Sequence, residues 1–205
     1  MTKTSNIHPV TEWVKSRLDE MDASLAVIER KVDKIEAGTR KRADAAIADM
    51  KKRRNAFKAE VEVTRERDAK AWAAMTNKLE AEWDAFEKDV DDYWDNVTDK
   101  AEEYEEAFKA RVEAQQKAWR NMASRMKADA NAFGADLKTE FDASVAKAEK
   151  MAKGAGDKLK AVDAAGKTSW AALRSALAES RATFDDANAK AAAAFKDALR
   201  KRPAA

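Results

Sequence analysis

Residues 72–94 read WAAMTNKLEAEWDAFEKDVDDYW, and the spacing of the three tryptophans in that stretch, Trp72, Trp83 and Trp94, decides the fold. Each lies eleven residues from the next, which is three helical turns to within about 20°, so the three indoles share one face of an α-helix. Met75, Leu79, Phe86 and Val90 join that face by steps of three and four. The intervening positions are charged or alanine, as expected of an amphipathic helix with one sticky side.

The stripe continues downstream through Val97, Ala101, Tyr104, Phe108, Val112, Gln115, Trp119, Met122, Met126, Ala130, Phe133, Leu137 and Phe141. From Trp72 to Phe141 the mean step is about 3.63 residues, between the 3.5 of a heptad and the 3.67 of an eleven-residue repeat, so the seam should run nearly straight or slightly right-handed. The same interval returns at Val162, Leu173, Phe184 and Phe195, with Trp170 opening that segment. Upstream the period differs. Val14, Leu18, Met21, Leu25, Ile28, Val32 and Ile35 alternate fours and threes, a heptad seam that starts after Pro9, a residue suited to a first helical turn.

Breaks follow from composition. Gly38, just past the last heptad residue and followed by Thr39, predicts a helix end and a turn. Beyond it Ala43, Ala46, Met50, Phe57 and Val61 carry the stripe, but Arg54 and Arg65 interrupt it, so this stretch should pack weakly or face acid. Near 150 the seam shrinks to Ser144, Ala148, Ala152 and Ala155 while Gly154, Gly156 and Gly166 cluster, which predicts a second hinge. A weaker candidate break lies at 96–99, where Asp99 and Glu102 resemble a capping box. The expected division is a tail over 1–8, a heptad helix over 9–37, a long helix or helix pair over 39–153, a glycine-rich hinge over 154–166, an amphipathic helix over 167–201 and a tail over 202–205.

Composition agrees. Of 205 residues 38% are charged and 45% hydrophobic, with only five glycines and two prolines. Such a chain reads as coiled coil or long helix, not as a sheet protein, and its regularly spaced Trp, Phe and Leu supply apolar surface that a disordered chain lacks. There is no cysteine, hence no disulfide framework and no thiolate metal site. The first residues show no signal-peptide pattern and no stretch is apolar enough for a membrane span, so a cytoplasmic protein is expected.

The net charge of +2 conceals blocks. Residues 30–70 carry 14 basic against 8 acidic side chains, residues 80–106 carry 13 acidic against 2 basic, and residues 109–205 carry 20 basic against 12 acidic. Burying a large seam residue contributes about 1.5–3 kcal/mol and a surface ion pair about 0–1 kcal/mol, so the stripe drives association and charge selects its geometry. An in-register parallel pair would set the acidic block against itself. An antiparallel pairing centred near residue 75 would instead bring it against residues 44–70, either between chains or within a folded hairpin, and the bulky rings favour three or four helices in section.

No catalytic constellation is visible. Glu102, Glu103, Glu105 and Glu106 lack the glycine-bearing loop of a calcium site and the Glu-x-x-His of a di-iron bundle, and read as a solvated or charge-pairing face. His8, the single histidine, has no catalytic neighbour. Lys51, Lys52, Arg53 and Arg54 could meet phosphate on an open face, but the acidic block competes for them. Gly154-Ala155-Gly156-Asp157-Lys158 has no preceding strand and no phosphate-loop spacing. No cofactor or metal is expected.

The segments around LDEMDASLAVIERKVDKIEAGTRKRADAAIADMKKRRNAF, from Leu18 to about Val61, and GKTSWAALRSALAESRATF, from Gly166 to Phe195, resemble a bacterial coiled-coil stress-response family with Trp-bearing amphipathic repeats. The resemblance implies a cytoplasmic helical protein linked to stress and offers no catalytic residue. There is a looser similarity to phasins and apolipoprotein-like helices. The reading is therefore all-α, with long amphipathic helices in a coiled coil or elongated bundle, heptad repeats first and eleven-residue repeats after. The interaction seam comprises Leu18, Leu25, Val32, Trp72, Leu79, Trp83, Phe86, Trp94, Phe108, Trp119, Phe133, Phe141, Trp170, Leu173, Phe184 and Phe195. Its expected partner is the chain itself, as a homo-oligomer or a folded-back bundle, in a non-enzymatic structural role. The alternative is a peripheral coat on a lipid or storage-granule surface, where eleven-residue amphipathic repeats also fit.

Overall fold

The computed structural model of the chain describes residues 9–33, 35–64, 69–97, 101–132, 135–164 and 170–200. Among them the chain forms α-helices and no strand: α1 (Pro9–Val32), α2 (Ala37–Thr64), α3 (Ala69–Val97), α4 (Ala101–Ala132), α5 (Ala135–Ala164) and α6 (Trp170–Arg200). The all-α class read from the stripe holds.

Cross-helix ion pairs fix the directions. Asp22 meets Arg54 and Glu29 meets Lys51, so α1 and α2 run antiparallel. Arg53 meets Asp89 while Glu60 meets Lys78, so α2 and α3 do too. Glu12 meets Arg125, Asp19 meets Lys117 and Arg30 meets Glu106, which sets α4 against α1. Arg17 pairs with Asp185, and Glu87 and Asp91 pair with Arg181 and Arg174, so α6 opposes both α1 and α3. The result is an up-and-down bundle whose hub is α1, packed against α2, α3, α4 and α6. α2 covers α3 on one side and α5 lies against α4 and α6 on the other.

The acidic block thus finds its basic partners within one chain, through Arg53 of α2, Arg30 and Lys31 of α1 and Arg174 of α6. Three of the four cations at 51–54 carry a carboxylate: Lys51 on Glu29, Arg53 on Asp89 at 2.5 Å, and Arg54 on Asp22 at 2.7 Å.

The helix boundaries differ from expectation in three places. α1 ends at Val32, short of residue 37, and Gly38 stands in the first turn of α2. The carbonyl of Glu36 accepts N–H bonds from Thr39 and Arg40, so the new helix starts from Glu36 and the turn lies just before it, spanned by the Arg40–Asp33 ion pair. The stretch 39–153 is neither one helix nor two, because helices end at Thr64, Val97 and Ala132. A rod carrying one continuous stripe leaves it wet, whereas folding back covers it with the chain's own helices. Thirdly, α5 continues through Gly154 and Gly156 to Ala164 where a hinge was expected, while the rest of that expected hinge, with Gly166, lies outside the described residues. Each glycine costs about 1 kcal/mol in a helix interior, a deficit that packing against α4 and α6 offsets. α3 ends and α4 begins on either side of 98–100, beside the candidate capping box at Asp99 and Glu102.

Candidate functional site

The described seam residues point inward. Leu25, Val32, Leu79, Trp83, Phe86, Trp94, Phe108, Trp119, Trp170, Leu173 and Phe184 are buried, and Leu18 is partly buried against the same core. The side chains of Trp72, Phe133, Phe141 and Phe195 lie outside the described residues. Rings cluster along the bundle. Trp13 stacks on Phe57 at 5.9 Å, and Trp119 meets Phe184 edge-on at 5.1 Å. Trp94 packs between Tyr93 and Trp170, whose Nε1 donates to Asp91 at 2.9 Å.

At mid-height the apolar interior gives way to a buried ionic layer. Glu20 of α1, Glu87 of α3, Arg111 of α4 and Arg181 of α6 point to one another from four helices. Glu20 Oε2 accepts from Arg181 Nη1 at 2.9 Å, from Gln115 Nε2 at 3.1 Å and from Arg111 Nη2 at 3.4 Å. The Arg181 fork also donates to Glu87 Oε2 at 3.0 Å, and Arg111 donates to Glu87 Oε1. Gln115 also donates to the Leu177 carbonyl, and beside the layer Arg17 donates to Asp185 at 2.5 Å. In the middle stands Trp83, with the guanidinium carbons of Arg17, Arg111 and Arg181 at 5.2, 5.8 and 5.0 Å from its ring centre. Three cations are thus balanced by three carboxylates around one indole, an arrangement that strengthens cation–π attraction because water is excluded.

Burial works to raise the Glu87 carboxyl, but Arg111 and Arg181 outweigh it and hold its pKa below the ordinary glutamate value. Burial likewise opposes the Arg181 charge, and Glu20 and Glu87 overcome it, raising that pKa. Asp185 behaves oppositely: burial dominates over Arg17 and lifts its carboxyl above the usual aspartate range. The signs give a pH prediction. Glu87 binds protons less readily folded than unfolded, so its stabilisation is present above pH 4.5 and fades as the pH falls below that. Asp185 binds protons more readily folded, so its contribution is present below pH 3.8 and is lost as the pH rises through its higher folded value. Asp185→Asn should therefore leave stability unchanged near pH 3 and raise it modestly at pH 7, measured by urea melts at both. A large loss at pH 7 would mean that the Arg17 pair outweighs desolvation.

The sequence reading passed over this layer. Only Gln115 stood on the expected stripe; Arg17, Glu20, Arg111, Arg181 and Asp185 were not singled out, and Glu87 counted only as part of the acidic block. One signal was available in α1, where Glu12, Ser16, Glu20 and Ser24 recur every four residues opposite the heptad seam, and all four are buried. The layer does not resemble an active site, since its charges are mutually committed. Among the described residues no group of His, Asp or Glu is arranged to hold a metal, and no helix is long and apolar enough to cross a membrane.

Fold and interior together define an all-α, up-and-down helical bundle closed on itself around a neutral ionic layer. Compared with family models, characterised proteins and solved structures, the chain matches none.

Proposed function

We propose that the protein is a non-enzymatic structural or interaction protein whose working unit is the single chain folded back on its own stripe, with partners meeting its charge-patterned outer helices. The observation that supports this is the burial of Trp83, Trp94, Trp119 and Trp170 by other helices of the same chain. No second copy is needed to cover them. The family resemblance suggests a role under stress, and association between copies would then run through the outer faces of α2 and α5.

Sedimentation equilibrium tests this reading. The expected result at micromolar concentration is the mass of one chain, 22.8 kDa, with compact small-angle scattering. A dimer abolished by Trp83→Asp would show that the stripe serves association between chains and would defeat the proposal.

The coat reading requires more than docking for the described rings, because Trp83, Trp94, Trp119, Trp170 and Phe184 are inside. It requires the bundle to open, and the ionic layer is the plane at which opening would expose charge as well as ring. Flotation with anionic liposomes and with polymer granules separates the two: a self-covered bundle stays at the bottom with unchanged helicity.

A further inference from the structure

Along α5, alanine and glycine leave space on both flanks. On the α4 side lies a groove of about 340 Å³, at the small end of the roughly 300–1,000 Å³ that small-molecule sites occupy. Its floor is apolar, formed by Trp119 and Ala123 of α4 and by Ala152 and Gly156 of α5. A Cβ placed on Gly156 would meet nothing within 4 Å, so the space is open at that point.

One feature points to a ligand. Arg120, Lys153 and Lys160, all solvent-exposed, line the groove, and among the described residues none of the three has a carboxylate partner. Of the two acids there, Glu149 is engaged by Lys127 at 2.6 Å, which leaves Asp157 alone against three free cations. An anion with an apolar body would match the cations with its head and the apolar floor with its body.

We propose that this groove binds a single-chain anionic amphiphile, with its hydrocarbon over the alanine and glycine floor and its acidic head among Arg120, Lys153 and Lys160. The site is separate from the ionic layer and stands whether or not the chain works as a single copy.

Calorimetric titration of the full chain with dodecanoate, below its micelle concentration, tests the proposal. Saturable binding of one molecule per chain is expected. Gly156→Leu, which fills the groove, should weaken binding by about tenfold or more. Lys153→Gln with Lys160→Gln should weaken it roughly fivefold, in exposed positions that leave the fold intact. Gly154→Leu is the control, because Gly154 lines the separate groove of about 450 Å³ between α5 and α6 and also has open space at its Cβ. Its affinity should stay that of the parent. The proposal is overturned by absence of saturable binding, by dodecanol binding as tightly as dodecanoate, by binding to anionic vesicles alone, or by equal loss in Gly154→Leu and Gly156→Leu.

Discussion

Exchanging Arg111 for methionine is expected to lower the unfolding free energy by about 3–5 kcal/mol, because it leaves Glu20 and Glu87 sharing a buried layer with one cation fewer. Arg111 is fully buried and touches both carboxylates. The cost arises from stranding partners, not from the worth of the pairs themselves. Exchanging Glu20, Glu87, Arg111 and Arg181 together for leucine should therefore cost far less than the single change, or raise stability, since an apolar layer of similar volume avoids desolvating four charges. Urea denaturation of the two variants decides the matter. A loss under about 1 kcal/mol in Arg111→Met would mean that the layer is hydrated. The layer is incompletely satisfied as it stands, with Glu20 Oε1, Gln115 Oε1 and Arg111 Nε and Nη1 lacking partners.

Trp83→Ala should be comparably severe. The indole is buried, stacks near Phe86 at 6.1 Å and carries three guanidiniums on or beside its ring. Truncating a buried tryptophan costs about 3–5 kcal/mol, which in a chain of this length corresponds to a fall in Tm of roughly 6–20 °C. Trp94→Ala, which empties the space between Tyr93 and Trp170, should fall in the same range, while Asn77→Ala on the exposed face of α3 should stay within about 0.5 kcal/mol. Differential scanning calorimetry of the three variants provides the comparison, and equal melting temperatures would place the two rings in water.

The sequence disclosed helix type and the inward face well, because both depend on local periodicity. Trp83 and Trp94 had only to share a face, and both are buried. Charge complementarity between 44–70 and 80–106 was also legible, as Arg53 with Asp89 and Glu82 shows. Where the chain turns was less so. Gly134 stands between Ala132 and Ala135, at the junction of α4 and α5, and is the type of residue that ends helices, but the unbroken stripe through Phe133 and Leu137 masked it. At residues 65–68 no glycine or proline marks the end of α2; only Arg65 on the stripe hints at it. The ionic layer was least visible of all. Glu20 and Arg181 are 161 positions apart, and nothing local to either tells of the other. Burial of a charge is decided by which helices surround α1, a tertiary fact that periodicity along one helix does not contain.

The central place of α1 has a temporal consequence. Arg17 finds Asp185 across 168 positions of chain. At a synthesis rate of about 5–20 residues per second, α1 waits roughly 10–30 seconds for α6 to follow it. Throughout that interval the flank of α1 that α6 covers is bare, although α2, α3 and α4 are made before α6, so a chain interrupted before residue 170 leaves Arg17 without Asp185 and Glu20 without Arg181.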